Sequence, residues 1–413
     1  MKAIFWIISA LLFLGSCATE PDNQIVIENE SSLTRVDAPI VIKRETLEKK
    51  MGTIPEDQFP MFYSETYGNI SPQTDDTNGD GTWDELFFLV DMEPQSERIY
   101  NITLVSGENI PVLDPRSNAR LAEIDENGNY IAQKQAKRID QEEGLAGGKF
   151  QMEGPAWEND LVGFRNYLDY RNGIDIFGKT TTLMSLDSAG IDQDYHQLQK
   201  WGMDILKVGT SLGAGSLAIK TDEGLYPVGP DAEGSVEIVA DGPLRSVVRF
   251  YFDNWEVEEG KNISLVHTVS IYGGAWYYVS DVEISGNTND LKLVTGIATL
   301  DLDNQEVKFE DFDNGYVAMS TFGRQSIEKE YLGMGLLIPE EYFEDYAHTD
   351  TIPGSITDSF IAEMSIPESD PLQFMFYATW ELSNEAFASG NALPEILKND
   401  SEALSNPIKF SIL

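Results

Sequence analysis

Ser246-Val247-Val248-Arg249-Phe250-Tyr251-Phe252, then Ser264-Leu265-Val266-His267-Thr268-Val269-Ser270-Ile271-Tyr272, then the apolar run over 275–284, are the stretches whose reading decides the fold. Each is short, rich in β-branched and aromatic residues, and bounded by Gly, Asn or Asp, which is the pattern of strands joined by turns. The same pattern recurs at 25–27, 40–42, 86–90, 102–105, 291–302, 332–338 and 373–379. Helical spacing is scarce. Only 194–203, 340–346 and 384–397 suggest short helices. No fixed-period repeat is visible, which argues against a propeller or solenoid. The expectation is therefore an all-β protein, a large antiparallel β-sandwich occupying residues 30–413 with few short helices. A smaller N-terminal β region would end near residue 117, and the polar stretch 118–148 would link it to the main sandwich.

Composition narrows the function. The chain has 413 residues, of which 41% are hydrophobic, so it can bury a large core. With 28 Lys and Arg against 70 Asp and Glu the formal charge is −42. That field repels phosphate backbones, so nucleic acid is excluded as a partner. The lone cysteine, Cys17, rules out both a disulfide framework and a cysteine-built zinc site.

Its position has its own meaning. Lys2 precedes an apolar run over 4–14 that is too short to span a bilayer, and Leu14-Gly15-Ser16-Cys17 follows. That sequence is similar to the bacterial lipobox, in which the cysteine is lipidated and cleavage occurs before it. Residues 1–16 are thus expected to be a signal peptide, Cys17 the lipidation site, and 17–29 a polar tether. The expected location is the outer membrane, on its periplasmic or outer face, with oligomeric state left open.

Two loops invite ligand readings. Asp76-Thr77-Asn78-Gly79-Asp80-Gly81-Thr82-Trp83-Asp84-Glu85 spaces Asp76, Asn78, Asp80 and Asp84 as a calcium loop would, but its twelfth position is Phe87 where a bidentate Glu is needed. A structural calcium and a plain Asp/Gly hairpin both fit. Gly209-Thr210-Ser211-Leu212-Gly213-Ala214-Gly215 lacks the Lys-Ser/Thr pair of a phosphate loop and reads as a glycine-rich turn. Neither a Gly-x-Ser-x-Gly elbow nor a His-Glu-x-x-His pair occurs.

The chemistry concentrates at 154–215. Gly154-Pro155-Ala156-Trp157-Glu158 opens the block, followed by Arg165-Asn166-Tyr167-Leu168-Asp169-Tyr170-Arg171 and Asp175-Ile176-Phe177-Gly178-Lys179. Tyr195-His196 and Trp201-Gly202-Met203-Asp204 complete it. Sugars suit such a mixture, because ring C–H faces stack on aromatic side chains while hydroxyls need carboxylates and amides. The basic residues here also make a local seat for an anionic group. His196, in a polar and aromatic setting, is the natural acid/base; His267, inside an alternating strand, is a reserve. His348 reads as surface loop.

Taken in order, Gly-Pro-x-Trp-Glu, Arg-x-Tyr-x-Asp-x-Arg, Asp-Ile-Phe-Gly-Lys, Tyr-His and Trp-Gly-Met-Asp resemble a family of exported bacterial proteins long described only as a domain of unknown function. The Asp76 loop and Gly242-Pro243-Leu244-Arg245 fit the same likeness. The resemblance implies a β-supersandwich like that of galactose mutarotase. It also implies an oligosaccharide dehydratase of ulvan degradation, removing water across C4–C5 of a non-reducing-end glucuronic or iduronic acid. The partner would be an anionic oligosaccharide, and no redox cofactor is required. β-Elimination beside a carboxylate needs that carboxylate neutralised, a base for the C5 proton and an acid for the departing hydroxyl. Arg165 is the expected fork, assisted by Arg171, Lys179 or Arg245. His196 with Tyr167 or Tyr195 is the expected proton-transfer pair. Glu158, Asp175 and Asp204 would hold hydroxyls or orient neighbours, with Trp157 and Trp201 as stacking faces. A chain-cleaving lyase, a non-catalytic glycan-binding protein and an aldose epimerase are the competing readings.

Overall fold

Along Lys261–Tyr272 the side chains of Ile263, Leu265, His267, Val269 and Ile271 are buried while their neighbours up to Ser270 are only partly covered or exposed, the period of two that packs one face of a sheet. This strand sits inside a nine-stranded antiparallel sheet. Its order is Gln135–Lys137, Glu233–Ala240, Arg245–Glu258, Lys261–Tyr272, Tyr277–Gly286, Leu372–Trp380, Leu332–Pro339, Tyr316–Gly323 and Lys308–Asp311. The computed structural model describes residues 23–413 apart from 141–143, 230–231 and 304–305. The signal segment 1–16, Cys17 and the first part of the tether lie outside the described residues.

Two five-stranded sheets cover the inner face of the large one. The first runs Gly202–Asp204, Ile174–Lys179, Val162–Asn166, Ala156–Asn159, Ser117–Arg120; the second runs Leu225–Pro227, Ala214–Lys220, Lys292–Ala298, Ser359–Met364, Phe343–His348. A single bridge, Ile174 to Gly213, joins them. Trp157 and Phe164 from the first sheet meet Phe250, Tyr278 and Phe376 of the large sheet edge-on, and Leu217, Ile219 and Leu293 of the second sheet extend the same core. The architecture is the expected all-β sandwich of antiparallel sheets.

Several finer expectations need correction. Gln24–Asn29 is a strand, with Ile25 and Ile27 fully buried, so no tether extends past residue 23. It pairs with Ser96–Ser106 on one side and the C-terminal Lys409–Ile412 on the other. That five-stranded sheet packs on Arg35–Lys43, Glu85–Met92 and Gln73–Asp75 around Ile40, Leu86, Phe88 and Tyr100. The stretch 118–148 is woven in, because Ser117–Arg120 and Gln135–Lys137 are edge strands of two different sheets. Among the described residues the α-helices are Arg44–Met51 and Ala392–Ser405. The second overlaps the helix expected over 384–397. Residues 343–348 form a strand, and 194–201 a loop that leads into the strand Gly202–Asp204.

Candidate active site

The sheet Gly202–Asp204, Ile174–Lys179, Val162–Asn166, Ala156–Asn159, Ser117–Arg120 is buried on both faces, and alternation divides its residues cleanly. Trp157, Val162, Phe164, Ile174, Ile176 and Met203 point into the main core. The opposite face carries Glu158, Arg165, Asp175, Phe177, Lys179 and Asp204. Register sets Arg165 directly across from Asp175, and Phe177 across from Asp204. Loop residues 180–201 then fold over this charged face, anchored by Leu186, Ala189 and Trp201 packed on Phe177 and Met152. Gly202 permits the return, since a Cβ there would overlap the Gly178 carbonyl oxygen at φ +134°.

Arg165 is the hub, with its side chain fully enclosed. Nη2 donates to Asp175 Oδ2 at 2.5 Å, to Asp204 Oδ2 at 3.2 Å and to the Tyr167 hydroxyl at 3.1 Å. Nη1 donates to the Met152 carbonyl at 2.9 Å and the Tyr195 hydroxyl at 3.2 Å, with Glu153 Oε1 at 3.5 Å. Met152 and Glu153 hold φ of +54° and +65°, a costly backbone for residues with side chains, and so aim that carbonyl at the guanidinium. The Tyr167 ring lies between two guanidiniums, 4.4 Å from Arg165 and 3.9 Å from Arg171. Arg171 is itself paired with Asp169 at 2.6 Å and Glu153 at 2.8 Å, so Glu153 ties both arginines together.

Protonation follows from this crowding. Burial, followed by the charge of Asp175, pushes the Asp204 carboxyl well above the usual carboxylate range. Burial also lifts the Tyr195 phenol, and burial with Asp175 lifts Tyr167, so both stay protonated. Burial alone would lower the Arg165 guanidinium, but Asp175 and its neighbours outweigh it.

His196 stands at the mouth, its side chain half-exposed and its ring 4.3 Å from that of Tyr195. Nδ1 lies 3.1 Å from Asp194 Oδ1. Hydrogen bonds from the His196 backbone and ring hold Asp194 below its ordinary range, so this carboxylate only accepts. An N–H on Nδ1 would donate to that carboxylate, and Nε2 is the nitrogen turned toward Asp204 Oδ2, 3.9 Å away.

The structure thus brings together Arg165, Tyr167, Tyr195, His196, Asp175, Asp204 and Arg171. Other expected site residues lie elsewhere. Trp157 is wholly inside the core and offers no stacking face; Trp201 is buried against Phe177. Glu158 and Lys179 form an enclosed ion pair whose carboxylate also accepts from the Ser185 and Leu186 amides, so they clasp the covering loop. Arg245 is paired with Asp75 and, at 3.0 Å, with Glu85, tying the N-terminal sheets to the sandwich. His267 is a core residue on Ser280, and burial drops its pKa to about 3. Asp76, Asn78, Asp80 and Asp84 turn their oxygens onto backbone amides of their own loop, and among the described residues no group of three His, Cys, Asp or Glu is placed to hold a metal. Sequence reasoning missed Glu153, Asp169 and Asp194. The last two stand two residues from Arg171 and His196, a spacing at which a short carboxylate reaches back; Glu153 left no such signal.

Two solved structures share this fold: an alpha-mannosidase from Enterococcus faecalis V583 (TM-score 0.50, 8% identity, 95% of this chain and 46% of that one) and a glycosyl hydrolase family 38 protein from Enterococcus faecalis (0.51, 8%, 95% and 47%). The chain spans about half the length of those structures. It belongs to the family described as a domain of unknown function (DUF4861), whose profile matches residues 27–410. It is also 24% identical, over a 436-residue alignment covering 99% of this chain and 98% of the other, to "Uncharacterized protein P7" of Formosa agariphila.

Proposed function

We propose that the protein is a carbon–oxygen lyase of polysaccharide breakdown, anchored through Cys17 at the outer membrane and acting on oligosaccharides that end in a uronic acid. It removes water across C4–C5 of a glucuronyl or iduronyl unit, leaving a 4,5-unsaturated end. The observation that supports this is the grouping of two protonated phenols and a mouth imidazole on one enclosed guanidinium, with Tyr167 and Tyr195 at 3.1 and 3.2 Å from Arg165 and His196 beside Tyr195.

The roles follow from protonation and exposure. His196 Nε2, the ring nitrogen that does not face Asp194, takes the C5 proton. The C–H electron pair becomes the C4–C5 double bond, the C4–O bond breaks, and the departing oxygen takes a phenolic proton and leaves as water. The imidazolium then returns its proton to the phenolate. Arg165 is too enclosed to grip the sugar carboxylate, so it acts by donating to both phenolic oxygens; Tyr167 gives its own proton to Asp175 Oδ2 at 3.1 Å, which makes Tyr195 the donor to the departing hydroxyl. Arg171, partly exposed, supplies positive charge nearer the surface. The likeness in fold to a mannosidase agrees with a carbohydrate substrate.

Defined uronate-terminated oligosaccharides incubated with the protein should gain the far-ultraviolet absorbance of an unsaturated uronyl end and lose the mass of one water at unchanged chain length. Shortened products would make it a chain-cleaving lyase; retention on a polysaccharide gel without chromophore would make it a binding protein. A folded His196→Ala variant should turn over at least about a hundredfold more slowly. Near-wild-type turnover would remove His196 from the reaction.

A further inference from the structure

The chain enters the fold beside an exposed sheet face. Gln24 opens the first strand, and register continues its row through Asn101 to Tyr63 across the five-stranded N-terminal sheet. One side of that sheet carries the core residues Ile25, Ile27, Phe62 and Tyr100. On the other side Ile99 is 43% and Tyr63 44% exposed, and alternation puts Val26 and Met61 with them. In a chain with 70 acidic residues this face is short of charge. Its charged strand residues are Glu28, Glu97 and Lys409, and register gathers all three into a single row at the end away from Gln24.

Chain length names the occupant. Residues 18–22 separate Cys17 from Asn23, whose carbonyl accepts from the Ile102 amide at 2.7 Å and is thereby fixed to the sheet. The steps from Cys17 to Asn23 reach at most about 20 Å, whatever their conformation. With Cys17 lipidated, Asn23 cannot stand farther than that from the bilayer. So short a tether holds the neighbouring face at the lipid surface at an effective concentration on the order of millimolar, and weak contacts then suffice. The composition of the face suits the headgroup layer, where a phenol ring keeps one end apolar and one end wet and uncharged amides meet no repulsion from lipid phosphates. We propose that the face bearing Tyr63 and Ile99 docks on the bilayer surface, so that the protein is held on the membrane in one orientation instead of swinging on its anchor. The inference rests on the proposed lipidation of Cys17.

The experiment uses the lipidated protein purified from membranes and reconstituted in vesicles of phosphatidylethanolamine and phosphatidylglycerol. Cys17 is the one cysteine, and lipidation consumes its thiol. Ile99→Cys, and as a control Leu382→Cys at an exposed position of the sandwich, therefore each offer a single thiol for a fluorophore. Lipids with a nitroxide on the headgroup should quench most of the emission at 99 and leave the label at 382 bright. Equal quenching at both positions would overturn the docking. An unquenched label at 99 would overturn it as well and give the face to residues 18–22 or to a second copy of the chain. Mass spectrometry keeps the two readings apart. A free Cys17 thiol means that the anchor has failed and the docking with it, whereas a lipidated chain with an unquenched label at 99 loses the docking alone.

Discussion

At the scale of single residues, the buried triplet Arg165, Asp175 and Asp204 makes a sharp distinction between two carboxylates that look alike in sequence. Burial and Asp175 bias the Asp204 carboxyl toward its uncharged form, and Asp175, 2.5 Å from Arg165, is the nearer counter-ion. Asp204→Asn removes a carboxyl already biased toward its uncharged form and should cost less stability than the matching change at Asp175. Asp175→Asn removes the nearest counter-ion of an enclosed guanidinium, a loss on the order of 3–5 kcal/mol. Urea unfolding of the two variants decides it, and equal losses would show that the charge sits elsewhere. His267 supplies a second test. Its pKa is near 3 in the folded chain against about 6.5 unfolded, so below pH 6.5 only the unfolded state gains the proton. Stability should fall by about 1.4 kcal/mol for each pH unit between roughly 6 and 3, and His267→Gln should remove that slope. The fate of His267 was legible in the sequence, because it stands in phase with Ile263, Leu265, Val269 and Ile271 on the buried face. The fate of Arg165 was not: the motif announces a cation, but only the loop folded over it reveals that solvent cannot reach it.

At the scale of elements, apolar strands were readable whether one face or both is covered, as at 264–272 and 332–338, whereas strands that bury charged residues were not. Ile174–Lys179 and Val162–Asn166 are buried throughout, so their charged residues look like surface until the covering loop is seen. Residues 194–203 carry apolar spacing that suits a helix, but the positive φ of Gly202 and its contact with Gly178 commit the segment to a sheet return. The helix Arg44–Met51 was unreadable for the opposite reason, since only Leu47 on it is buried. Helix Ala392–Ser405 allows a prediction of its own. Its Asp400 lies in a crevice against Tyr377, and burial raises its pKa to about 6 over the pull of Tyr377 and Arg35. An unfolded aspartate loses its proton near 3.8 and the folded one only near 6, so docking of this helix is penalised progressively between those values and fully above them. Asp400→Asn should therefore stabilise the protein at pH 8 by up to about 3 kcal/mol and leave it unchanged at pH 4. Melting curves at both pH values test this, and a gain of equal size at pH 4 would refute it.

At the scale of the whole molecule, the charge of −42 acts on everything the local sites do. So large an excess of one sign makes the folded chain repel itself, and the repulsion exceeds that in the expanded unfolded chain, where the same charges lie farther apart. Added salt shortens the screening length from about 10 Å at 0.1 M to about 3 Å at 1 M, so the melting temperature should rise with sodium chloride over that range. The same field opposes the approach of an anionic oligosaccharide, and the partly exposed Arg171, already paired with Asp169 and Glu153, offsets it only locally once contact is made. Those short contacts are partly buried and lose little to screening, whereas the long-range repulsion is largely removed. KM for a uronate-terminated oligosaccharide should consequently fall as salt rises, the reverse of what a basic surface would give, while kcat stays nearly constant because proton transfer takes place after the substrate is already bound. Steady-state kinetics at several salt concentrations separate the two effects. A KM that climbs with salt would mean that attraction to a surface cation, rather than escape from the acidic shell, governs substrate capture.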